Sequence, residues 1–333
     1  MSANGMGERH PARQGLRQFA QQLWGAVRRS LFGSRLAPPA PHRPPALPGA
    51  YEPLRRVLLT DSVGRTLFEE YAAHRAEERG DEETGWVLMG LRERDEAVAL
   101  ATLPAGTERD AGVAHVRFNS SGQALASRIV RQADRRLTIL GVVHTHPGSL
   151  RHPSDGDFQG DSQWVGKLRG GEGIFGIGTA DGRRPGPESR GLLFAEQPRP
   201  NVQCLGELCF SWYSLRAGRH GYQALPVELT LGPDLARPLH DVWATLEEHA
   251  ERLDRLYRQQ AGVRCEVVGG EGGLALAVTV PLAEPGDAIR VLLRRKEVRY
   301  LVLRGGEVFA ADCAAESVDQ GVYLLMAELA AKG

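Results

Sequence analysis

Long apolar runs are missing from this chain. No stretch of about eighteen apolar residues occurs, so no transmembrane helix is expected. The N-terminus lacks the apolar stretch and small-residue cleavage site of a signal peptide, and a cytoplasmic setting is expected. Net charge is missing too. Lys plus Arg number 41 and Asp plus Glu number 41, a formal charge of zero, which argues against a chain-wide footprint for nucleic acid. Cysteine is scarce. Cys204, Cys209, Cys265 and Cys313 form no CxxC pair and no dense framework, so they are expected to be thiols in or near cores. Internal repeats are also absent.

What remains is ordinary for a globular chain. Hydrophobic residues make up 42% and charged residues 25% of the 333 positions, enough for a packed core and, as a soft prior, about two domains. Residues 1–50 differ from the rest, with seven Arg and one Glu. Leu16, Phe19, Leu23, Val27 and Leu31 recur there at helical spacing beside Trp24, and "APPAPHRPPALPGA" then reads as an extended linker. Two readings stand: an amphipathic helix that docks on a partner or an anionic membrane surface, or a leader without fixed structure.

Residues 51–231 read as an α/β or α+β domain. Strands are expected at 54–60, 85–93, 96–104, 113–119, 137–146, 173–180 and 190–196, with helices at 65–78, 122–136 and 157–170. Residues 207–229 read as a hairpin turning near Gly218 to Gly221. From residue 232 to 333 a smaller α+β unit follows. A long helix over 234–260 leads to four strand-like runs at 263–269, 274–281, 288–295 and 298–310, then a closing helix over 318–331. His240 and His249 on that long helix read as surface residues.

The densest chemistry is "HTHPGSLRHPSDGD", His144 to Asp157, behind the apolar run "LTILGVV". On a strand, His144 and His146 point to the same face. Two imidazoles converging at a strand end suit Zn²⁺. Asp157, at the start of the next helix, can add a third ligand. His152, Asp155 and Asp161 compete for that place, and spacing alone does not choose among them. Zinc deaminase chemistry is excluded, because its H-x-E and P-C-x-x-C are not present.

Read as His144-x-His146-x7-Ser154-x-x-Asp157, the pattern resembles the JAMM motif of JAB/MPN+ metalloproteases. That family also has a glutamate just before a glycine-containing strand. Here Glu83 directly precedes Thr84 and Gly85, while Glu82 is one residue too early, a shift that would turn the side chain to the other face. The resemblance implies a mixed, cytidine-deaminase-like sheet flanked by helices over 51–231. It implies one Zn²⁺ per chain on His144, His146 and Asp157, with water as the fourth ligand. It implies Glu83 as general base and acid, and Ser154 as a hydrogen-bond donor to the water or the oxyanion. It further implies hydrolysis after the C-terminal glycine of a ubiquitin-like protein or its conjugates. Partners would then include cognate activating and conjugating enzymes, in a bacterial operon of the antiviral-defence kind. A sulfur-carrier precursor as substrate and a non-catalytic MPN scaffold are the alternatives. The resemblance says nothing of the unit over 232–333.

Overall fold

The structure, a computed structural model, describes residues 51–333 apart from 79, 107–120, 182–193, 196–198, 271, 296, 314, 316 and 333. The helix and proline run expected before residue 51, the strand expected at 113–119 and most of that expected at 190–196 lie outside the described residues.

Strand β1 (Arg56–Thr60) ends in a residue that starts a helix. The Thr60 hydroxyl accepts the Val63 N–H, so α1 (Asp61–Arg75) begins ahead of the apolar periodicity that starts at Arg65. β2 (Gly85–Arg92) and β3 (Glu96–Pro104) form an antiparallel pair. On β2, Trp86 and Leu88 join one apolar cluster with Phe68 and Tyr71 of α1. Val87 and Met89 join the other, with Leu125 and Ile129 of α2 (Ser121–Val130). A strand covered on both faces must be apolar throughout, which is why "GWVLMGLR" shows no alternation.

β4 (Thr138–Thr145) lies between β2 and β5 (Glu172–Thr179), antiparallel to the first and parallel to the second. Gly141 makes that central approach possible. Its φ is +156°, and a Cβ there would stand 1.8 Å from the Ile174 carbonyl oxygen. Between β4 and β5 runs α3 (Asp155–Ser162), followed by two short 3-10 turns at Val165–Lys167 and Arg169–Gly171. The helix expected over 157–170 therefore starts earlier, because Ser154 caps it, and stops sooner, at Ser162, with the rest of the span in the two 3-10 turns.

The remaining strands are β6 (Phe194–Ala195), β7 (Val202–Leu205), β8 (Leu208–Arg216), β9 (Gln223–Ala224) and β10 (Val227–Thr230). The sheet order is β10-β1-β3-β2-β4-β5-β8-β7-β6, with β9 paired to β8. The hairpin expected over 207–229 thus keeps only a short return strand, β9. The chain then crosses to pair in parallel with β1. Cys204 and Cys209 face each other across β7 and β8 and are joined as a disulfide. This corrects the reading of all four cysteines as thiols: strand register brings these two together, while Cys265 and Cys313 remain free.

The helix expected over 234–260 is broken into α4 (Arg237–His240) and α5 (Trp243–Gln259). The run at 298–310 is not one strand but a hairpin, turned at Gly305 and Gly306. The five-stranded antiparallel sheet is therefore β11 (Arg264–Gly270), β12 (Gly273–Pro281), β13 (Ala288–Arg294), β14 (Glu297–Arg304) and β15 (Glu307–Ala311), in chain order. α6 (Val318–Lys332) closes the chain. One apolar cluster runs from Leu125 and Ile129 of α2 through Leu246 and Leu253 of α5 to Leu276 and Val278 of β12. Among the described residues, no helix is long and apolar enough to cross a membrane.

Candidate metal centre

Strand pairing sets the first two side chains. His144 sits opposite Gly85 of β2 and Ile177 of β5, and the His146 N–H donates to the Gly178 carbonyl at 2.8 Å. Both histidines are buried, each 6% exposed. Their Nε2 atoms are 3.0 Å apart. His146 Nδ1–H donates to the Leu150 carbonyl at 2.8 Å, which leaves the Nε2 lone pair facing inward in the neutral ring.

The third side chain comes from the start of α3. Asp157 occupies its third position, and Ser154 caps the helix in a reciprocal box. The Ser154 N–H and hydroxyl donate to Asp157 Oδ2 at 2.6 and 2.8 Å, and the Asp157 N–H returns to the Ser154 hydroxyl oxygen at 3.2 Å. So held, Asp157 lies with Oδ1 3.2 Å from His144 Nε2 and Oδ2 3.3 Å from His146 Nε2. The loop between is fastened. Tyr213 donates its hydroxyl to the Arg151 carbonyl at 2.8 Å, and Arg151 pairs with Asp181 at 3.1 Å.

These distances can be compared with a tetrahedral metal site. Atoms bound to Zn²⁺ at about 2.0–2.1 Å and tetrahedral angles lie about 3.3 Å apart. The observed 3.0 Å between the nitrogens, and 3.2 and 3.3 Å from each nitrogen to one oxygen of the Asp157 carboxylate, are on that scale, with two neutral-capable nitrogens and one carboxylate. Among the described residues, these three form the one group of His, Cys, Asp and Glu side chains arranged to hold a metal ion. Of the competing ligands, His152 and Asp155 are exposed. Asp161 points elsewhere, taking hydrogen bonds from the Tyr222 hydroxyl at 2.7 Å and the Trp164 indole at 3.1 Å.

Charges respond to this crowding. Burial pushes the Asp157 carboxyl up, but hydrogen bonds from His144 and His146 and the nearby Ser154 N–H pull it well below the usual carboxylate range. For His146, burial lowers the pKa, and the contacts with Asp157 and Leu150 and the Glu83 charge outweigh it, so the net shift is upward. The position of Glu83 is set by the neighbouring Thr84, whose N–H donates to the Thr145 hydroxyl and whose carbonyl accepts the Thr145 N–H, both at 2.9 Å. One residue earlier, the Glu82 carbonyl is taken by His74 of α1 at 2.8 Å.

Two further groups stand beside the centre: Asp161, which the sequence offered as a competing ligand, and Tyr222, for which the sequence held no signal. Asp161 is pushed up to about 6, chiefly by burial. Tyr222, on the loop after β8, packs edge-on against Phe158, Phe175 and Tyr213 and reaches Asp161. Only the fold brings residue 222 to the face of α3. Ser154 also holds a position its motif does not describe, since its hydroxyl is turned onto a ligand carboxylate and caps a helix.

The family described as prokaryotic homologs of the JAB domain matches residues 65–187, a span that contains Glu83, His144, His146, Ser154 and Asp157. The match supports the JAB/MPN family for this part of the chain, and the mixed sheet with helices on both faces is compatible with a JAB-type fold. A solution structure of protein DSY2949 from Desulfitobacterium hafniense is similar at 16% identity, covering 53% of this chain and 94% of that chain, with a TM-score of 0.34. No curated protein matches the chain.

Proposed function

We propose that residues 51–231 carry a zinc-dependent peptidase centre. It cleaves the amide bond after the C-terminal glycine of a ubiquitin-like protein, either in a conjugate or in an extended precursor. A JAB domain suggests a peptidase-like or a scaffold role. The observation that carries the catalytic reading is the convergence of His144 Nε2 and His146 Nε2, 3.0 Å apart, on the Asp157 carboxylate, whose Oδ1 lies 3.2 Å from the first and Oδ2 3.3 Å from the second. A scaffold has no use for three ligand side chains turned inward and a carboxylate beside them.

Zinc, when bound, supplies a Lewis acid for a carbonyl oxygen and a water of lowered pKa. His144, His146 and Asp157 would hold it on three sides and leave the fourth open. Glu83, whose charge is felt at His146, takes a proton from the attacking water and returns it to the leaving nitrogen. Ser154 keeps the Asp157 carboxylate in place, and its hydroxyl, if it turns from that carboxylate, can donate to a developing oxyanion instead. No covalent acyl-enzyme is required.

The buried position of both imidazoles supports a substrate with a thin main chain at the cut. A tail of glycine can approach where a Cβ would clash. A short tail buries too little surface for tight binding, so the folded body of the ubiquitin-like protein supplies the affinity. The setting is cytoplasmic, with cognate activating and conjugating enzymes as partners. A sulfur-carrier precursor has the same chemistry at its end and is separated by substrate assay. The test compares a ubiquitin-like fusion, its isolated tail peptide and an unfolded protein, with and without chelator. Chelator-sensitive cutting of the fusion alone is expected. Equal cutting of all three would make the protein a general protease, and zinc binding with no cutting would favour the scaffold.

A further inference from the structure

The five-stranded sheet has two edges, and they are treated differently. The β11 edge is closed. Gln132, just after α2, accepts the Cys265 N–H at 3.2 Å and donates to the Cys265 carbonyl at 3.4 Å, so a side-chain amide stands in for a neighbouring strand. The β15 edge has no such partner among the described residues. Val308 is 61% exposed and Phe309 is 50% exposed, and the strand contains no proline and one charge, Glu307. Sheet edges of this kind pair with other strands unless they are blunted.

The turn fixes which backbone groups point outward. Gly305 and Gly306 have φ of +59° and +85°, a two-residue type I′ turn. Arg304 and Glu307 are then a hydrogen-bonded pair, and pairing alternates from there: Val302 with Phe309 and Tyr300 with Ala311 are bonded, Leu303 with Val308 and Leu301 with Ala310 are not. The N–H and C=O groups of Val308 and Ala310 therefore face away from β14. Two identical edges can use these four groups only in antiparallel register about Phe309.

We propose that β15 is the interface between two copies of this chain, related by a two-fold axis through Phe309. In that register Val308 pairs with Ala310 of the second copy, and the reverse, giving four hydrogen bonds. Phe309 meets Phe309 of the second copy at the close, non-bonded spacing where aromatic pairs pack well. Val308, large, lies over Ala310, small. The charges agree: Glu307 falls opposite Ala311, and Asp312 opposite Gly306, so no like charges meet. The two five-stranded sheets become one of ten strands, and the exposed apolar side chains are covered.

The experiment is sedimentation of the full chain from low to high micromolar concentration. A reversible monomer–dimer equilibrium is expected. Ala310→Pro removes only outward-facing N–H groups, which a strand edge tolerates, and should give a monomer with an unchanged melting curve. Val308→Lys, on the other face, should do the same and guards against a folding defect in the proline variant. Under diamide, which takes up the two hydrogens and two electrons released by a pair of thiols, Phe309→Cys should cross-link into dimers, and Val308→Cys and the parent chain should not. A parent chain that stays monomeric overturns the proposal, whether or not its edge takes a strand from another protein. So does a dimer that survives Ala310→Pro and Val308→Lys, or one that cross-links equally through Val308→Cys.

Discussion

Among the described residues two buried histidine–carboxylate clusters can be compared, and they differ in where the ring nitrogens point. His240 of α4 pairs through Nδ1 with Glu70 of α1 and through Nε2 with the Thr102 carbonyl at 2.6 Å. Both nitrogens are used, and Glu70 is also held by the Trp86 indole at 2.6 Å. That side chain is 4% exposed, so the reading of His240 as a surface residue is corrected. It ties the C-terminal half of the chain to the first sheet. In the other cluster one nitrogen of His146 is used and its Nε2 faces His144 Nε2 and Asp157. Saturated rings brace a fold, whereas lone pairs aimed at one point suit a cation.

The widest separation between the clusters should come from deleting the rings. His144→Ala/His146→Ala should abolish stoichiometric zinc and all turnover while the protein remains folded. His240→Ala should keep zinc and instead lose roughly 2–4 kcal/mol of stability, because Glu70 is left partly buried without its partner. Elemental analysis and thermal melts read the two. Full zinc in the double variant would remove the site from these residues.

Next in size is the carboxylate beside the centre. Glu83→Gln should retain zinc and lose roughly 10²–10⁴-fold in turnover, the usual worth of a positioned acid–base group. Glu82→Ala should leave turnover nearly unchanged, since the contact its carbonyl makes with His74 survives the substitution. Activity lost in Glu82→Ala and kept in Glu83→Gln would exchange the two assignments.

A smaller contrast separates two serines that precede helices. Ser154 hydrogen-bonds a candidate ligand, Asp157, and Ser317 hydrogen-bonds Asp319 at 2.8 Å beside α6. Each substitution to alanine should cost about 1 kcal/mol in the melt. Ser154→Ala alone should also weaken zinc by roughly 10–100-fold, the scale of outer-shell changes around a metal. Equal zinc affinity in both variants would make Ser154 a cap and nothing more.

These contrasts follow how much of the molecule could be read in advance. The spacing from His144 to Asp157 was legible because it is local: a strand end, a proline, a cap and a first turn lie within fourteen residues. Glu83 stands out in the sequence because it comes just before a strand, and the structure does start β2 at Gly85. The disulfide and the Asp161–Tyr222 contact were not, since they depend on register and packing between distant segments. The break before Trp243 has no proline or glycine to announce it. By contrast Gly305-Gly306 is a standard hairpin signal, and the long apolar run around it hid a fifth strand.

The smallest effect, and the one that tests both clusters together, is in pH. In the metal-free chain His146 has a raised pKa, so its contribution is present in full below the unfolded value of about 6.5 and is lost as pH rises through the folded value. Asp157 is depressed, and its contribution survives above its unfolded value and is lost only as pH falls through the folded one. Zinc requires His146 without its proton, so the metal competes with that stabilised proton already above pH about 6.5. Affinity should fall about tenfold per pH unit below the raised pKa for this one ring. The gain in Tm on adding zinc should therefore be largest near neutral pH and shrink toward about pH 5.5. His240 is also raised and Glu70 lowered, but that pair is the same with and without metal and cancels in the difference. Removing it with His240→Ala should lower both curves and leave their separation unchanged. A zinc-dependent gain that holds constant with pH, or one that vanishes in His240→Ala, would mean that the rings at His144 and His146 are not what binds the ion.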